Sequence, residues 1–409
     1  MIRAGLVRLL WGAAIAAAVL LALKLFVADV YRISSGSMSP ALFGGEGDAF
    51  AEWVLLRYER NPELARWDLV AHRRGDGAVV KRIVGLPGET VRILDGDLWI
   101  DGERLPADGP RPDPILVFDD TVLAVEDFFT WRRQNSEQVP AAIWTGDEQG
   151  WDLDATRVPA GSNEGMMFYH PELRDDYLDA FGRRVVGKRT VNDAILELSF
   201  SLETVDEGVL RAQLVEKGDT FEARIAPSPG DDPSVSHRLE LIRRNASSGS
   251  EPMQLASAPL SLASIEYHEL RFANVDNQLT VSLPTEGVTL THAYERNARH
   301  PQANPASLGD QSVGWRVGFG AEGSRVRFRS IRILRDLHYT SGGEFGVAAA
   351  RRLGLDEIFV LGDNSRISND SRHFDAVPLG LVVGRPVFVV WPPSRARAVA
   401  RPGVVPESD

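Results

Sequence analysis

The 409-residue chain contains no cysteine. This absence excludes disulfide bonds, thiolate catalysis and metal sites built on cysteine ligands. Positive charge is in deficit as well, since 45 Lys and Arg stand against 57 Asp and Glu and give a net charge of −12. The chain therefore has no cationic surplus to neutralise phosphates, and nucleic acid is not an expected partner. Its length and its 44% of hydrophobic residues suffice for more than one globular domain.

A long apolar segment lies near the N-terminus. Residues 9–23 are uncharged and nearly all apolar, and the run continues past Lys24 to Ala28. About 20 such residues cross a bilayer as one helix, and the amine of Lys24 can reach the headgroups at the far end. A cleaved secretory signal is the alternative, but Lys24 interrupts the region and a small-x-small end is missing. We therefore expect an uncleaved anchor. Because Arg3 and Arg8 precede it, its N-terminus should be cytoplasmic and the rest of the chain should lie outside.

The rest of the chain is dominated by short β-type segments. Beyond a Gly- and Pro-rich linker at 109–114, apolar and polar residues alternate in segments such as 195–202 and 279–283. Many short strands with regular turn signals predict an antiparallel sandwich with one solvated face on each sheet. Residues 272–279 resemble the concanavalin-like and laminin-G-like sandwiches.

The predicted protein is therefore mainly β. We expect an N-terminal transmembrane anchor (1–30), a small β-rich domain split into two parts (31–110 and 337–395), an inserted antiparallel β-sandwich (111–336) and a C-terminal tail (396–409).

Hydrolytic chemistry without cysteine or a metal needs a hydroxyl nucleophile, a base and donors for an oxyanion. The eight histidines offer no obvious base, since His72 and His373 have no clear partner and no HExxH spacing occurs. The remaining arrangement is a serine with a lysine base.

Lys81 suits the role of base because it lies among apolar residues at 79–84, a segment predicted to be a mostly buried strand. A lysine accepts a proton only when it is neutral, and burial lowers its pKa from a reference of about 10.4. Ser37 lies in a Gly-containing turn directly after the predicted anchor. Taken singly, each residue has an ordinary interpretation that is at least as frequent as a catalytic one. Lys81 could be a strand-edge lysine that points to water, and Ser37 could lie in a simple turn after a membrane helix.

Four segments, in order, resemble the motifs of the bacterial type I signal peptidases. The segment 35–42 (SGSMSPAL) resembles the nucleophile box, 47–48 (GD) the short box that follows, 81–89 (KRIVGLPGE) the lysine box and 362–372 (GDNSRISNDSR) the third box. The resemblance covers residues 1 to about 105 and about 337 to 395, and it leaves the central region without a counterpart.

By position, the resemblance implies a Ser/Lys dyad mechanism with no metal or cofactor. Ser37 would attack the scissile carbonyl, while Lys81 would accept its proton, return it to the leaving amine and later activate water. The amide of Ser37 and the hydroxyl of Ser35 would hold the oxyanion. Ser368 would hydrogen-bond the Lys81 amine and orient it.

The resemblance also implies supporting contacts and shows three departures. Arg82 and Asp363 would form an ion pair, and Asp370 and Arg372 would brace the loop of the third box. Ser365 stands where many members have Arg. The other two departures are Ala41, which stands where Thr is frequent, and the long insertion between the lysine box and the third box. Arg366 follows Ser365 by one place.

The implied function is the removal of signal peptides from exported precursors on the outer side of a bacterial cytoplasmic membrane. Its partners would be those precursors, the lipid bilayer and a glycan or protein ligand of the insertion. Three alternatives remain open: a Ser/Lys maturation peptidase for a restricted set of surface proteins, a membrane-anchored binding or scaffold protein whose working part is the sandwich, and a relative of the self-cleaving repressors of the SOS response, which share the dyad but lack an anchor.

Overall fold

A computed structural model describes Trp11 and residues 27–45, 51–59, 63–94, 96–106, 109–131, 142–203, 208–216, 219–228, 235–245, 251–263, 265–294 and 317–402. The chain divides into two compact units, Met1–Asp113 with Leu337–Asp409 and Pro114–Asp336. Strands dominate both units, and neighbouring strands of the sheets run antiparallel. The prediction of a mainly β protein with antiparallel sheets is confirmed.

The first unit contains strands from both ends of the chain. Its strands are β1 (Ala28–Arg32), β2 (Trp53–Tyr58), β3 (Leu69–Arg74), β4 (Gly77–Gly85), β5 (Thr90–Leu94), β6 (Asp97–Ile100), β7 (Glu103–Arg104), β25 (Arg351–Arg352), β26 (Glu357–Leu361), β27 (Val377–Pro378), β28 (Val382–Trp391) and β29 (Arg397–Ala398). A short helix, Ser371–Phe374, follows β26, and 3₁₀ turns lie at Gly36–Met38, Leu379–Leu381 and Pro393–Arg395.

The large sheet of this unit has the order β1-β2-β28-β3-β4-β26-β27, with β29 on β28, while β25-β5-β6-β7 form a smaller sheet. Strand β4 is internal, because it pairs with β3 on one side and β26 on the other. Val70 faces Lys81 across the first pairing. Arg82 lies opposite both Leu69 and Leu361. Residues 81 and 82 therefore occupy the middle of a sheet that draws on both ends of the sequence.

Two hydrophobic clusters hold this sheet. One contains Val70, Ile83, Ile358, Val360 and Val377, all buried. Full burial of an aliphatic side chain of this size contributes about 1.5–3 kcal/mol relative to leaving it exposed. This cluster joins β3 and β4 to β26 and so holds the lysine-box strand against the segment that leads into the third box.

The other cluster packs the turn after β1 onto the sheet. Its buried members include Ile33, Met38 and Leu42 from the turn, together with Val54 and Val389 from the sheet. The turn at 34–40 is thus fixed by its own apolar neighbours.

The predicted anchor falls largely outside the described residues, which include only Trp11 and Val27 onward from that segment. Within the described part of the chain, no helix is long and apolar enough to span a bilayer. Ala28, Asp29 and Val30, which the sequence assigned to the end of the anchor, belong to β1 instead. Their backbones pair with β2, where Ala28 faces Arg57.

The second unit consists of two larger sheets and a hairpin. Its elements are β8 (Ile115–Asp119), a short helix (Val125–Phe128), β9 (Phe129–Trp131), β10 (Ile143–Asp147), β11 (Gly150–Asp154), β12 (Met166–Tyr169), β13 (Tyr177–Leu178), β14 (Arg184–Val185), β15 (Ala194–Leu202), β16 (Val209–Glu216), β17 (Asp219–Pro227), β18 (His237–Asn245), β19 (Met253–Leu260), β20 (His268–Val275), β21 (Gln278–Leu283), β22 (Val288–Ala293), β23 (Val317–Glu322) and β24 (Arg325–Arg335). The sheet orders are β10-β11-β24-β15-β20-β21-β22, with β8 on β24, and β19-β18-β17-β16-β23-β12-β9.

One hydrophobic core serves both of these sheets. It includes Phe200 and Phe272 from the first sheet and Phe221 and Phe319 from the second. Trp151 is buried in the same core. The alternation of apolar and polar residues in this region therefore places one face of each sheet in a common interior.

Candidate active site

Lys81 and Ser37 are brought together by the internal strand β4 and the turn after β1. The Lys81 Nζ donates a hydrogen bond of 2.8 Å to the Ser37 Oγ and another of 3.0 Å to the Val80 carbonyl oxygen. Both side chains are buried, with Lys81 3% and Ser37 6% exposed. The predicted buried strand and the predicted turn thus present a hydroxyl and an amine in direct contact.

Burial lowers the pKa of Lys81 from its ordinary 10.5 to about 8. The carboxylates of Asp370 and Asp363 act in the opposite direction, since they favour the ammonium form, and Arg74 adds to the lowering. With a pKa of about 8, roughly a tenth of the lysine is neutral at pH 7. This fraction makes the amine a usable base at neutral pH, whereas an exposed lysine would not be.

The Ser37 turn is held by its backbone as well as by its apolar neighbours. Residues Gly36–Met38 form a 3₁₀ turn, which the amide of Ser39 closes by donating to the Gly36 carbonyl oxygen over 3.1 Å. The Ser37 carbonyl oxygen accepts a 3.1 Å bond from the Asn364 amide, which belongs to the third box. Ser35 is exposed, and its Oγ lies 3.3 Å from the Ser37 Oγ. The two motifs therefore share one backbone contact at the nucleophile candidate.

Gly362 is a point of close approach in the third box. A Cβ at this position would overlap the Ser368 Oγ and would lie 2.5 Å from the Ser37 carbonyl oxygen. Only glycine lets the strand end come this near to the Ser37 turn.

The expected hydrogen bond between Ser368 and the Lys81 amine is not formed. Ser368 is 4% exposed, and its Oγ has no hydrogen-bond partner among the described residues. The amine is directed at the Ser37 Oγ and the Val80 carbonyl oxygen instead. Ser368 thus lies at the site as predicted, but its hydroxyl is not engaged with the lysine.

Both expected ion pairs are present and buried. Arg82 donates to Asp363 from Nε over 2.7 Å and from Nη2 over 2.6 Å, and its Nη1 donates to the Trp67 carbonyl oxygen over 2.8 Å. Arg372 donates to Asp370 from Nε over 2.9 Å and from Nη2 over 2.8 Å. Side chains that are this buried keep their charges only because each is matched by an opposite charge and by hydrogen bonds.

Ser365, the departure noted in the sequence, is buried within the third box. Its Oγ accepts a 2.7 Å bond from Nη1 of Arg372. The side chain of Arg366 is exposed. Arg366 therefore does not supply a cation to the buried network. The short box at 47–48 lies outside the described residues.

Some groups at the site were missed by sequence reasoning. The Val80 carbonyl and the Asn364 amide are backbone groups, and the identity of a side chain does not predict the contacts of its backbone. His72 is 2% exposed on β3, and burial lowers its pKa to about 4, so the ring is neutral at pH 7. The Lys81 charge contributes to this lowering, which places His72 within electrostatic reach of the candidate base. The burial of β3 was the only available signal.

Comparison with known proteins points to one family. A sequence model described as signal peptidase, peptidase S26, matches residues 6–152 and 286–391. Signal peptidase I T of Bacillus subtilis is 38% identical over 99 residues, which are 23% of this chain and 49% of that protein. Signal peptidase I of Streptococcus pneumoniae is 32% identical over 201 residues, which are 47% of this chain and 91% of that protein. The chain spans about half the length of the first curated relatives it matches.

Solved structures with some similarity include carbohydrate binding modules, galectins and a xylosidase. They include the carbohydrate binding module CBM66 from Bacillus subtilis, with 7% identity, a TM-score of 0.28 and coverage of 47% of this chain and 91% of that one. Sheep galectin-11 has 11% identity, a TM-score of 0.24 and coverage of 35% and 91%.

Proposed function

Because the chain belongs to the signal peptidase family, peptidase S26, we propose that it is a serine endopeptidase that removes signal peptides from exported precursor proteins. The single observation that carries this proposal is the 2.8 Å hydrogen bond from the Lys81 Nζ to the Ser37 Oγ, formed where burial brings the pKa of the amine to about 8. A hydroxyl becomes a nucleophile when an adjacent base can take its proton.

In the proposed reaction, neutral Lys81 accepts the Ser37 proton as the Oγ attacks the scissile carbonyl carbon. The carbonyl oxygen becomes an oxyanion, which then collapses, and the peptide C–N bond breaks. The ammonium of Lys81 returns the proton to the leaving amine, which leaves an ester on Ser37. Lys81 next accepts a proton from a water molecule that attacks this ester, and it returns the proton to the Ser37 Oγ as the acid product departs.

We assign the oxyanion donors to the amide of Ser37 and the hydroxyl of Ser35. The Ser35 hydroxyl lies close enough for this role, since its Oγ is 3.3 Å from the attacking oxygen and its side chain is exposed to an incoming substrate. Removal of one such donor typically costs about 10²–10³ in rate. Ser368, which is buried beside the Ser37 turn, is proposed to accept a hydrogen bond from the Lys81 ammonium as charge develops on it.

The two ion pairs are proposed to support the dyad and to take no part in proton transfer. The Arg82–Asp363 pair joins the strand of Lys81 to the third box. The Arg372–Asp370 pair braces the loop that carries Ser368. Neither pair touches the Ser37 Oγ in the described structure, which fits a supporting role.

We further propose that the enzyme works on the outer side of a bacterial cytoplasmic membrane and is held there by a transmembrane anchor, the apolar segment that begins at residue 9 and precedes β1. A supporting observation is a set of exposed apolar side chains on the large sheet of the first unit. Trp53 is 40% and Trp391 54% exposed, and they face each other across β2 and β28. Phe388 on the same strand is 38% exposed. Tryptophan is enriched at the interface between membrane and water.

We propose that the second unit is an inserted domain with the fold of a concanavalin-like or laminin-G-like sandwich. Its proposed role is to recruit a glycan or protein ligand. The supporting observation is that two antiparallel sheets enclose one hydrophobic core. Under this proposal the two parts of the first unit, 31–110 and 337–395, form the catalytic domain, and 396–409 form a tail.

The proposal is tested with the full chain in lipid vesicles and a precursor that carries a small-x-small cleavage site. We expect wild-type protein to release a mature product that begins directly after that site, and Ser37→Ala to release none. If the wild type cleaves a soluble peptide but leaves general precursors intact, the protein is instead a maturation peptidase for a restricted set of substrates. If it cleaves neither, the protein is a binding or scaffold protein.

A further inference from the structure

The guanidinium of Arg372 is surrounded by hydrogen-bond acceptors. The resemblance to the third box implies only one of them, the carboxylate of Asp370. The side chain of Arg372 is 0% exposed. Besides its two bonds to Asp370, its Nη1 donates to the Thr340 carbonyl oxygen and to the Thr340 Oγ1, both over 2.8 Å. Ser365 accepts from Nη1 at its Oγ over 2.7 Å and from Nη2 at its carbonyl oxygen over 2.8 Å. Thr340 and Ser365 are joined to each other as well, since the Thr340 amide donates to the Ser365 Oγ over 2.8 Å.

We propose that Thr340 and Ser365 are positioning residues of the active site, which act as a pair of hydroxyl groups that hold the guanidinium of Arg372 in register with the carboxylate of Asp370. The inference rests on the proposed peptidase function. Neither residue touches the Ser37 Oγ, so neither is a catalytic residue. Their effect reaches the dyad through Asp370.

One route from Asp370 to the dyad is mechanical. The Asp370 Oδ2 accepts a 3.0 Å hydrogen bond from the Gly362 amide. Gly362 is the residue whose Cα packs so closely that an added Cβ would lie 2.5 Å from the Ser37 carbonyl oxygen. A shift of the Asp370 carboxylate therefore changes the place of Gly362 and, with it, the packing of the Ser37 turn.

The other route is electrostatic. After burial, Asp370 is the largest influence on the pKa of Lys81, and it raises that pKa. Arg372 bears the compensating positive charge, and it is aligned with Asp370 over two bonds. The closer the guanidinium is held to the carboxylate, the less of the negative charge acts on Lys81. The other charged or titratable groups that act on Lys81 are Asp363, Arg74 and His72.

The segment that carries Thr340 is built around Arg372. Gly343 has φ +118, and a Cβ there would lie 2.7 Å from both the Cβ and the carbonyl oxygen of Arg372. The amides of Glu344 and Phe345 donate to that same carbonyl oxygen over 2.8 and 3.0 Å. A glycine in a conformation that other residues rarely adopt thus allows the chain to wrap Arg372. The contact of Thr340 is one part of this wrapping.

The same geometry explains why serine suits position 365. Ser365 is 7% exposed and offers Arg372 two oxygen acceptors. An arginine in the same place would bring a second buried cation against the guanidinium, without a second carboxylate to match it.

The test compares Thr340→Val, which keeps the shape but removes the hydroxyl, with Thr340→Ser, which restores it. Ser365→Ala removes the second hydroxyl, and Thr289→Val changes an exposed threonine of β22 as a matched control. Lys81 is one of only four lysines in the chain, so NMR of labelled lysine side chains follows its titration directly, with Lys81→Met to assign the signal. Cleavage of a soluble peptide is measured over the same pH range.

We expect Thr340→Val and Ser365→Ala to raise the pKa of Lys81 by about half a unit to one unit, and so to lower kcat/KM at pH 7 about three- to tenfold, because the neutral fraction falls in proportion. Thr340→Ser and Thr289→Val should behave as wild type. Unchanged Lys81 titration in both hydroxyl-deleted variants would overturn the inference. The inference would also be overturned if the variants lose activity only because they unfold and if Thr340→Ser does not restore activity. If Thr340→Val fails to fold, Ser365→Ala decides.

The two proposals fail in different ways. If the wild type does not cleave, the peptidase proposal is wrong, while the titration of Lys81 still reports whether the hydroxyl groups position Arg372. If the wild type cleaves and the variants titrate and cleave as it does, only the positioning role is wrong.

Discussion

Arg82 and Asp363 form a bidentate ion pair across 281 residues of sequence. Their side chains are 5% and 3% exposed. The pair connects β4, which carries Lys81, to the loop after β26, so it fixes the two halves of the first unit at the candidate site. We predict that Asp363→Asn lowers the free energy of unfolding by about 3–5 kcal/mol, because it leaves the buried guanidinium without its counter-charge.

The matched control for this change is Asp147→Asn. Asp147 also binds an arginine through both carboxylate oxygens, since Nη2 of Arg327 donates to each of them, but its side chain is 54% exposed. Solvent screens such a pair, so the control should change the stability far less. Denaturant unfolding of both variants is the measurement. Equal losses of unfolding free energy in the two variants would show that burial does not determine how much the Arg82–Asp363 pair stabilises the protein.

The pKa of Lys81 predicts the pH dependence of the reaction. Only the neutral amine accepts the Ser37 proton, and the pKa of about 8 means that the neutral fraction grows as the pH rises through 8. We expect kcat/KM to rise about tenfold per pH unit below pH 8 and to level off above it. A pH profile on a soluble peptide measures this. If kcat/KM instead rises through pH 4, where His72 titrates, the base is a group other than Lys81.

Lys81 is also predicted to cost stability at neutral pH. Its pKa falls from 10.5 in the unfolded chain to about 8 in the folded one, so between these values the unfolded chain binds the extra proton and the stability rises with pH. Below pH 8 the full penalty applies. Lys81→Met should therefore be more stable than wild type at pH 7 by about 3 kcal/mol, and the difference should shrink as the pH approaches 10.5.

Denaturant unfolding of both proteins at pH 7 and at pH 10 measures this difference. Comparison at each pH removes the contribution of the other titrating groups, which the two proteins share. A variant that is less stable than wild type at pH 7 would mean that the lysine contributes more by its hydrogen bonds than its burial costs.

Gly362→Ala is predicted to impair the site strongly, because the added Cβ overlaps the Ser368 Oγ and approaches the Ser37 carbonyl oxygen to 2.5 Å. We expect kcat/KM to fall by about 10² or more, since displacement of reacting groups by even an ångström has that effect. Gly380→Ala is the control, because a Cβ there meets no atom within 4 Å. Peptide cleavage and melting temperature are measured for both. Wild-type activity in Gly362→Ala would show that the close approach is not required.

Much of this site was predictable from the sequence, because the residue types that do the chemistry occur in recognisable order. Ser37 and Lys81 lie together as the motifs imply, both supporting ion pairs are present, and the β-type patterns correspond to antiparallel sheets. The resemblance to type I signal peptidases is confirmed by the family match.

The remainder depends on placement, which residue identity does not determine. The motif predicted that Ser368 binds the Lys81 amine, but a lysine has three donors, and the nearest acceptors turned out to be the Ser37 Oγ and the Val80 carbonyl oxygen. Thr340 could not be predicted, because it lies outside every motif and reaches Arg372 only through the folded path of the chain. The end of the anchor was also misplaced, because apolar residues at 28 and 30 suit a strand as well as a helix.

The central claim is that Ser37 and Lys81 act as one catalytic unit, and a double-mutant comparison tests it most directly. The measurement is kcat/KM on a soluble peptide with a small-x-small site, for wild type, Ser37→Ala, Lys81→Met and the double variant, with Gly380→Ala as control. We predict that each single change lowers kcat/KM by a factor of about 10⁴ or more. The double variant should have a kcat/KM no lower than that of either single variant, because residues that act together do not have additive effects. Losses that multiply in the double variant, or activity retained in either single variant, would contradict the dyad.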